Sequence, residues 1–214
     1  MAGISRVKGV AVALAMDNID TDQLIPARFM SAPRSAGYGG FLLHDLRRTD
    51  DGALDPAFPL NTPAADGAKI LVAGRNFGSG SSREAAVYAL VDAGIRAVVA
   101  ESFGDIFRGN AVNNGLIPAE VERVAPLLGT LTTPGAATLD IATRSLTVGT
   151  VRTAFALSDV FAKKLRNGWD DIDLTLGRLD AIAAFRRARH EGARWAFPNH
   201  NESGPNAAQP EGHS

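Results

Sequence analysis

Four consecutive positions, Ser81-Ser82-Arg83-Glu84, place two hydroxyls, a guanidinium and a carboxylate directly after the glycine-rich run Gly74 to Gly80. Serine is a weak base on its own and acts only where its oxyanion is stabilised. The start of a helix provides such surroundings, because its first N–H groups are unpaired and its dipole is positive there. Gly78 and Gly80 let the main chain come close to a ligand. Arg83 can grip a carboxylate with two parallel hydrogen bonds. The tract therefore reads as a small-carboxylate site with a serine poised to move a proton. A structural reading stands beside it. Ser81 and Glu84 have capping-box spacing, which makes Ser81 the expected N-cap of a helix over 81–93.

Nucleotide readings are weaker. The third glycine of a dinucleotide loop is replaced by Arg83, and the Gly-Lys-Ser/Thr of a Walker A loop is missing. The Gly-x-Ser-x-Gly of a nucleophile elbow is also absent from this tract.

The tract lies between a buried strand, Lys69 to Ala73, and a helix ended by Gly94. A second strand over 96–100 and a helix over 103–114, stopped by Gly115, follow. Residues 69–119 thus alternate strand and helix, which predicts an α/β fold with parallel crossovers. Val7 to Leu14 reads as a first strand. Asp17-Asn18-Ile19-Asp20-Thr21-Asp22 is an acidic loop. Residues 31–63 are rich in glycine and proline and are expected to form a long irregular excursion of the kind that serves as a lid or binding loop, with a short helix over 41–46. Residues 138–142 and 145–148 suit a hairpin. A helix is expected over 158–167 before Gly168, and a last helix over 174–189 with Leu176, Leu179, Ile182 and Ala183 on its apolar face. The tail at 196–214 is polar and expected to be disordered.

Composition narrows the chemistry. The net charge is −1, which favours neither nucleic acid nor an acidic membrane. The basic run Arg186-Arg187-Ala188-Arg189 reads as a solvated helix face. No cysteine is present, so thiolate chemistry and iron–sulfur ligation by this chain are excluded. His44, His190, His200 and His213 lack metal-ligand spacing, and no metal site is expected. No apolar run is long enough for a membrane, and the first residues lack the core of a signal peptide, which points to the cytoplasm.

Gly78-Ser79-Gly80-Ser81-Ser82-Arg83-Glu84 resembles the serine-loop signature of the aconitase superfamily. Asp17 to Phe29 resembles the N-terminal signature of its isopropylmalate dehydratase small subunits. Ser102 to Phe107, Asn113 to Pro118 and Asn167 to Leu176 resemble later family segments, in the same order, over roughly residues 4–190. The resemblance implies a swivelling β/β/α three-layer domain over 1–190, like the last domain of aconitase, with residues 31–63 as its mobile substrate loop. It implies a partner, a large subunit carrying a [4Fe–4S] cluster, in a heterodimer or heterotetramer. It implies a hydro-lyase that interconverts 2- and 3-isopropylmalate in leucine biosynthesis. Ser81 would be the catalytic base and Asp22 a second catalytic residue. Ser82, Arg83, Thr21 and Arg34 would bind substrate, and Tyr38, Phe41, Leu42 and Leu43 would meet its alkyl group.

Ser79 stands where cysteine is common in the family, Ala85 where histidine is, and Asp173 where glycine is. Two alternatives therefore stay open: a paralogous subunit acting on 2-methylmalate/citraconate or another alkylmalate, and a non-catalytic anion-binding module of the same fold.

Overall fold

Strands with no polar residue must be covered on both faces. In a computed structural model of the chain, which describes residues 2–196, this requirement organises the fold. Among the described residues seven strands form one sheet: Arg6–Leu14 (β1), Ile70–Ala73 (β2), Ala97–Ala100 (β3), Ile117–Glu120 (β4), Gly135–Asp140 (β5), Ser145–Val148 (β6) and Val151–Ala154 (β7). Their order is β4-β3-β2-β1-β5-β6-β7. β1 is the seam. It runs parallel to β2, which begins the parallel half, and antiparallel to β5, which begins the hairpin half. β4 lies at one edge, where Pro118 costs no ladder hydrogen bond to a further strand.

Every residue of β2 and β3 is buried. Leu71, Ala73, Val98 and Ala100 point into one apolar cluster, while Ile70, Val72, Ala97 and Val99 point into the other. The first cluster is closed by Glu84–Asp92, which is α2 after the short α1 at Thr21–Leu24, and by the segment around Leu42. Asp105–Asn113 (α3) contributes Ala111 to the first cluster and Val112 to the second. Ala125–Thr130 (α4) and Asp159–Asn167 (α5) close the second.

The expected parallel units, hairpin and 158–167 helix are all present. α5 is capped by Ser158, whose hydroxyl accepts from the Phe161 N–H at 3.2 Å, and it ends at Gly168 in the left-handed region. The C-terminal signature fastens this helix. The buried ammonium of Lys164 donates to Asn113 and, at 2.7 Å, to Asp171.

Two expectations are corrected. The last helix is two helices, Asp171–Leu176 (α6) and Leu179–Gly192 (α7), parted at Gly177-Arg178, where Arg178 leaves helical geometry. Its apolar face is exposed: Leu176, Leu179, Ile182 and Phe185 all face solvent. Secondly, residues 41–46 are not a helix. Within residues 27–65 the only helical turns are short 3-10 turns, three between Ala27 and Phe41 and two opened by Pro59 and Pro63. Leu43 then takes a positive φ of 50°.

The contacts divide the chain into two units, Met1–Ile172 and Asp173–Ser214, where the sequence reading carried one domain to 190. The expected disordered tail lies, from 197 onward, outside the described residues. Among the described residues no helix is long and apolar enough to cross a membrane.

Candidate functional site: a serine loop bonded to an acidic turn

The serine tract leaves the C-terminal end of β2, the end at which open α/β sheets bind ligands. Its conformation differs from the expected capping box. α2 begins only at Glu84, with Arg83 at its N-cap position and no side-chain cap. The Glu84 carboxylate accepts instead from Asn114 Nδ2 at 2.7 Å, thirty residues further on. Gly78 and Gly80, at φ 71° and 93°, turn the chain before the helix can start. Ser81 lies in the tight turn that follows, where the Arg83 N–H donates to its carbonyl at 2.7 Å.

The capping box is found elsewhere. The Asp20 carboxylate accepts from the Gln23 N–H at 2.8 Å, and the Asp20 N–H donates to Gln23 Oε1 at 2.9 Å. Asp-x-x-Gln is the spacing that reveals it.

This capped turn and the serine loop are joined through their main chains. The Gly74 N–H donates to Met16 O (2.9 Å), Asn18 to Arg75 O (2.9 Å), Gly78 to Ile19 O (2.7 Å) and Thr21 to Ser79 O (2.9 Å). Segments some 60 residues apart in sequence, Asp17 to Thr21 and Gly74 to Ser81, thus form one structure. Beneath the loop, Phe77, Phe103 and Phe107 pack with ring centroids 5.4–6.3 Å apart. A Cβ at Gly78 would fall 2.2 Å from the Phe107 ring.

The structure brings some expected site residues together and separates others. Ser81 and Ser82 are exposed at the loop's rim. Arg83 and Asp22 meet there as an ion pair, the arginine largely covered and the aspartate half exposed. Thr21 was expected to bind substrate. It is 1% exposed, and its hydroxyl donates to the Ser81 carbonyl at 3.1 Å, so it faces the loop rather than a ligand.

Arg34, expected as a second carboxylate contact, is held on the outer face of α2. It grips Asp92 through two hydrogen bonds (3.0 and 2.7 Å) and lies over the Tyr88 ring at 4.0 Å. The Asp92 hydrogen bond raises the Arg34 pKa above its ordinary value, while burial raises that of the Tyr88 phenol.

Tyr38, Leu42 and Leu43, expected to meet an alkyl group, are buried in the core cluster instead. The Tyr38 hydroxyl donates to Ala32 O at 2.8 Å. Phe41 is half-buried and stacks on Phe29 at 4.3 Å. Asn114, Gln23 and Phe107, which shape the site, were missed as site residues; their partners lie on other elements, except for the local Asp20–Gln23 pair.

A cavity of about 550 Å³ lies at the opposite, N-terminal ends of the parallel strands, lined in part by Lys8, Lys69 and Arg96. No serine-loop residue lines it, and Arg96 is occupied with the carbonyls of Val91 and Ile95 at the end of α2 (2.9 and 2.8 Å). Among the described residues no group of three or more His, Cys, Asp or Glu is placed to hold a metal ion.

A family model described as the aconitase C-terminal domain matches residues 1–124. With the mixed sheet and the serine loop, that match defines the class of the fold. The chain is 44% identical over 184 residues to the 3-isopropylmalate dehydratase small subunit of Shouchella clausii, covering 83% of this chain and 92% of that protein. It is 44% identical over 200 residues to the small subunit of Paramagnetospirillum magneticum, covering 91% of this chain and 100% of that protein. The crystal structure of 3-isopropylmalate dehydratase from Methanocaldococcus jannaschii superposes with a TM-score of 0.60 at 26% identity, covering 85% of this chain and 99% of that one. The chain belongs to the family of 3-isopropylmalate dehydratase small subunits.

Proposed function

We propose that this chain is the small subunit of a 3-isopropylmalate dehydratase. In leucine biosynthesis this hydro-lyase interconverts 2-isopropylmalate and 3-isopropylmalate by losing and re-adding water. The observation that carries the reading is the exposed Ser81, set in a main-chain cradle beside Arg83 in a chain of this family.

Ser81, as its alkoxide, takes the proton from the carbon beside a substrate carboxylate. The electron pair left behind forms the alkene as hydroxide departs from the neighbouring carbon. Arg83 and the Ser82 hydroxyl hold the carboxylate and spread the charge that develops on it. Asp22 keeps the Arg83 guanidinium facing the loop's rim. Re-addition of hydroxide to the other alkene carbon, with return of the proton from Ser81 to the carbon that hydroxide left, completes the isomerisation and regenerates the alkoxide.

This chain has no cysteine with which to ligate an iron–sulfur cluster, so we place the [4Fe–4S] group on a large-subunit partner. When bound, that group supplies Lewis acidity toward the leaving hydroxyl. Every step assigned to this chain concerns binding the carboxylate and moving one proton.

The test is co-purification with the candidate large subunit under anaerobic conditions, followed by alkene absorbance from isopropylmalate and, separately, from 2-methylmalate. The expected outcome is faster turnover of isopropylmalate. Ser81→Ala should lower kcat by about 10²-fold or more with the complex intact. Full activity of Ser81→Ala, or preferential turnover of 2-methylmalate, overturns the reading.

A further inference from the structure

The Ser81 side chain is exposed, so its direction is set by its own main chain. The Ser81 carbonyl oxygen accepts from the Arg83 N–H at 2.7 Å and from the Thr21 hydroxyl at 3.1 Å. Thr21 is a fixed donor. It is buried and β-branched, which restricts its χ1, and it opens α1, which the reciprocal Asp20–Gln23 cap holds in place. Its own N–H reaches the Ser79 carbonyl at 2.9 Å, so Thr21 bonds the loop on both sides of Gly80.

The C=O and N–H of a trans peptide point in opposite directions. A Ser81 carbonyl drawn toward Thr21 therefore turns the Ser82 N–H away from α1. Gly80, at φ 93°, adds no side-chain restraint on the residue that follows, so Ser81 can turn if that hold is released.

We propose that Thr21 is a positioning residue for the proton transfer: its buried hydroxyl holds the Ser81–Ser82 peptide and so aims the Ser81 side chain. The inference rests on the function proposed above and deepens it, since Thr21 touches the loop and not the substrate. A displacement of about 1 Å at a reacting group lowers turnover by up to roughly 10²-fold. Loss of this one bond thus acts on kcat more than on KM.

The experiment uses the complete complex with the large subunit, comparing wild type, Thr21→Val, Thr21→Ser and Ser81→Ala. Valine keeps the shape and removes the donor, whereas serine keeps the donor and removes a methyl. We expect Thr21→Val to lower kcat about tenfold or more with KM within about twofold, and Thr21→Ser to keep most of the wild-type kcat. Wild-type kcat in Thr21→Val overturns the inference. So does an equal loss in Thr21→Ser, because packing of the methyl would then be responsible. Should Thr21→Val fail to assemble, Thr21→Ala replaces it in the same comparison, and the same two outcomes decide. Failure of the underlying reading looks different: wild type and Ser81→Ala would then be equally active or equally inert.

Discussion

Asp22 and Arg83, 61 positions apart, close against one another at the rim of the serine loop. The aspartate side chain is 54% exposed, so the pair contributes little to stability, on the order of 1 kcal/mol or less. Its effect is to hold one end of a planar, bidentate group. Arg83→Lys should lower kcat/KM about 10- to 100-fold while the denaturation midpoint stays nearly constant, because an ammonium cannot form the two parallel bonds. Asp22→Asn should lower kcat/KM by less. Steady-state kinetics beside urea denaturation check both.

Gly78 has no room for a side chain. Its left-handed backbone and the Phe107 ring behind it should make Gly78→Ala cost about 2–4 kcal/mol, measured by urea denaturation. Adding Phe107→Ala to that variant should cost less than the sum of the two single changes, because the clash is with that ring.

Arg34 holds the 31–46 segment to α2 through Asp92 and Tyr88. Arg34→Ala should leave global stability within about 1 kcal/mol and speed proteolysis near Ala32 to Gly37 about fivefold. Mass spectrometry of the fragments would show it. A raised KM with unchanged cleavage would return Arg34 to the substrate.

The Asp171 carboxylate is held below the ordinary carboxylate range, chiefly by its hydrogen bond from the Lys164 ammonium. A depressed carboxylate pKa stabilises the folded state above the unfolded value of roughly 3.9, and that contribution is lost as pH falls through the folded value. Stability assigned to this pair should therefore be flat from neutrality to about pH 5 and decline below pH 4. Asp171→Asn should cost about 1 kcal/mol at pH 7, discounted because the carboxylate is 74% exposed, and should flatten the acid limb. Urea titrations at pH 7, 5 and 3 give both numbers.

Where signals were local, the sequence was legible. α5 is delimited by Ser158, its terminal Lys164 and Arg166, and Gly168, all within one short stretch. The association of Asp17 to Thr21 with the serine loop was legible only as two separate family signatures, because main-chain bonds over 60 residues leave no trace in side-chain pattern. Ser81 and Glu84 had the spacing of a cap, yet Glu84 found Asn114 on a different element, and the two left-handed glycines delayed the helix. Leu42 and Leu43 stood in a glycine- and proline-rich tract, where nothing local announces burial. Their covering comes from segments distant in sequence: the Leu43 N–H donates to Leu24 O at 3.0 Å, and the neighbouring Tyr38–Phe41 turn packs on α2. On α7 the stripe was legible but its environment was not: the same spacing suits an inward face, and here it is exposed.

The bonds that join Met16, Ile19 and Thr21 to Gly74, Gly78 and Ser79 run from amide to carbonyl, and amides and carbonyls are the same in almost every amino acid. The side chains of Arg75 and Ser79, unlike the packed Phe77 and Gly78, can thus change while the contour they ride on stands still. Ser79 enters the join through its carbonyl, which accepts from the Thr21 N–H at 2.9 Å whatever side chain stands there. A frame held by its main chain, with glycines fixed at 74 and 78, can accept a new side chain at Arg75 or Ser79 without having to reinvent the shape.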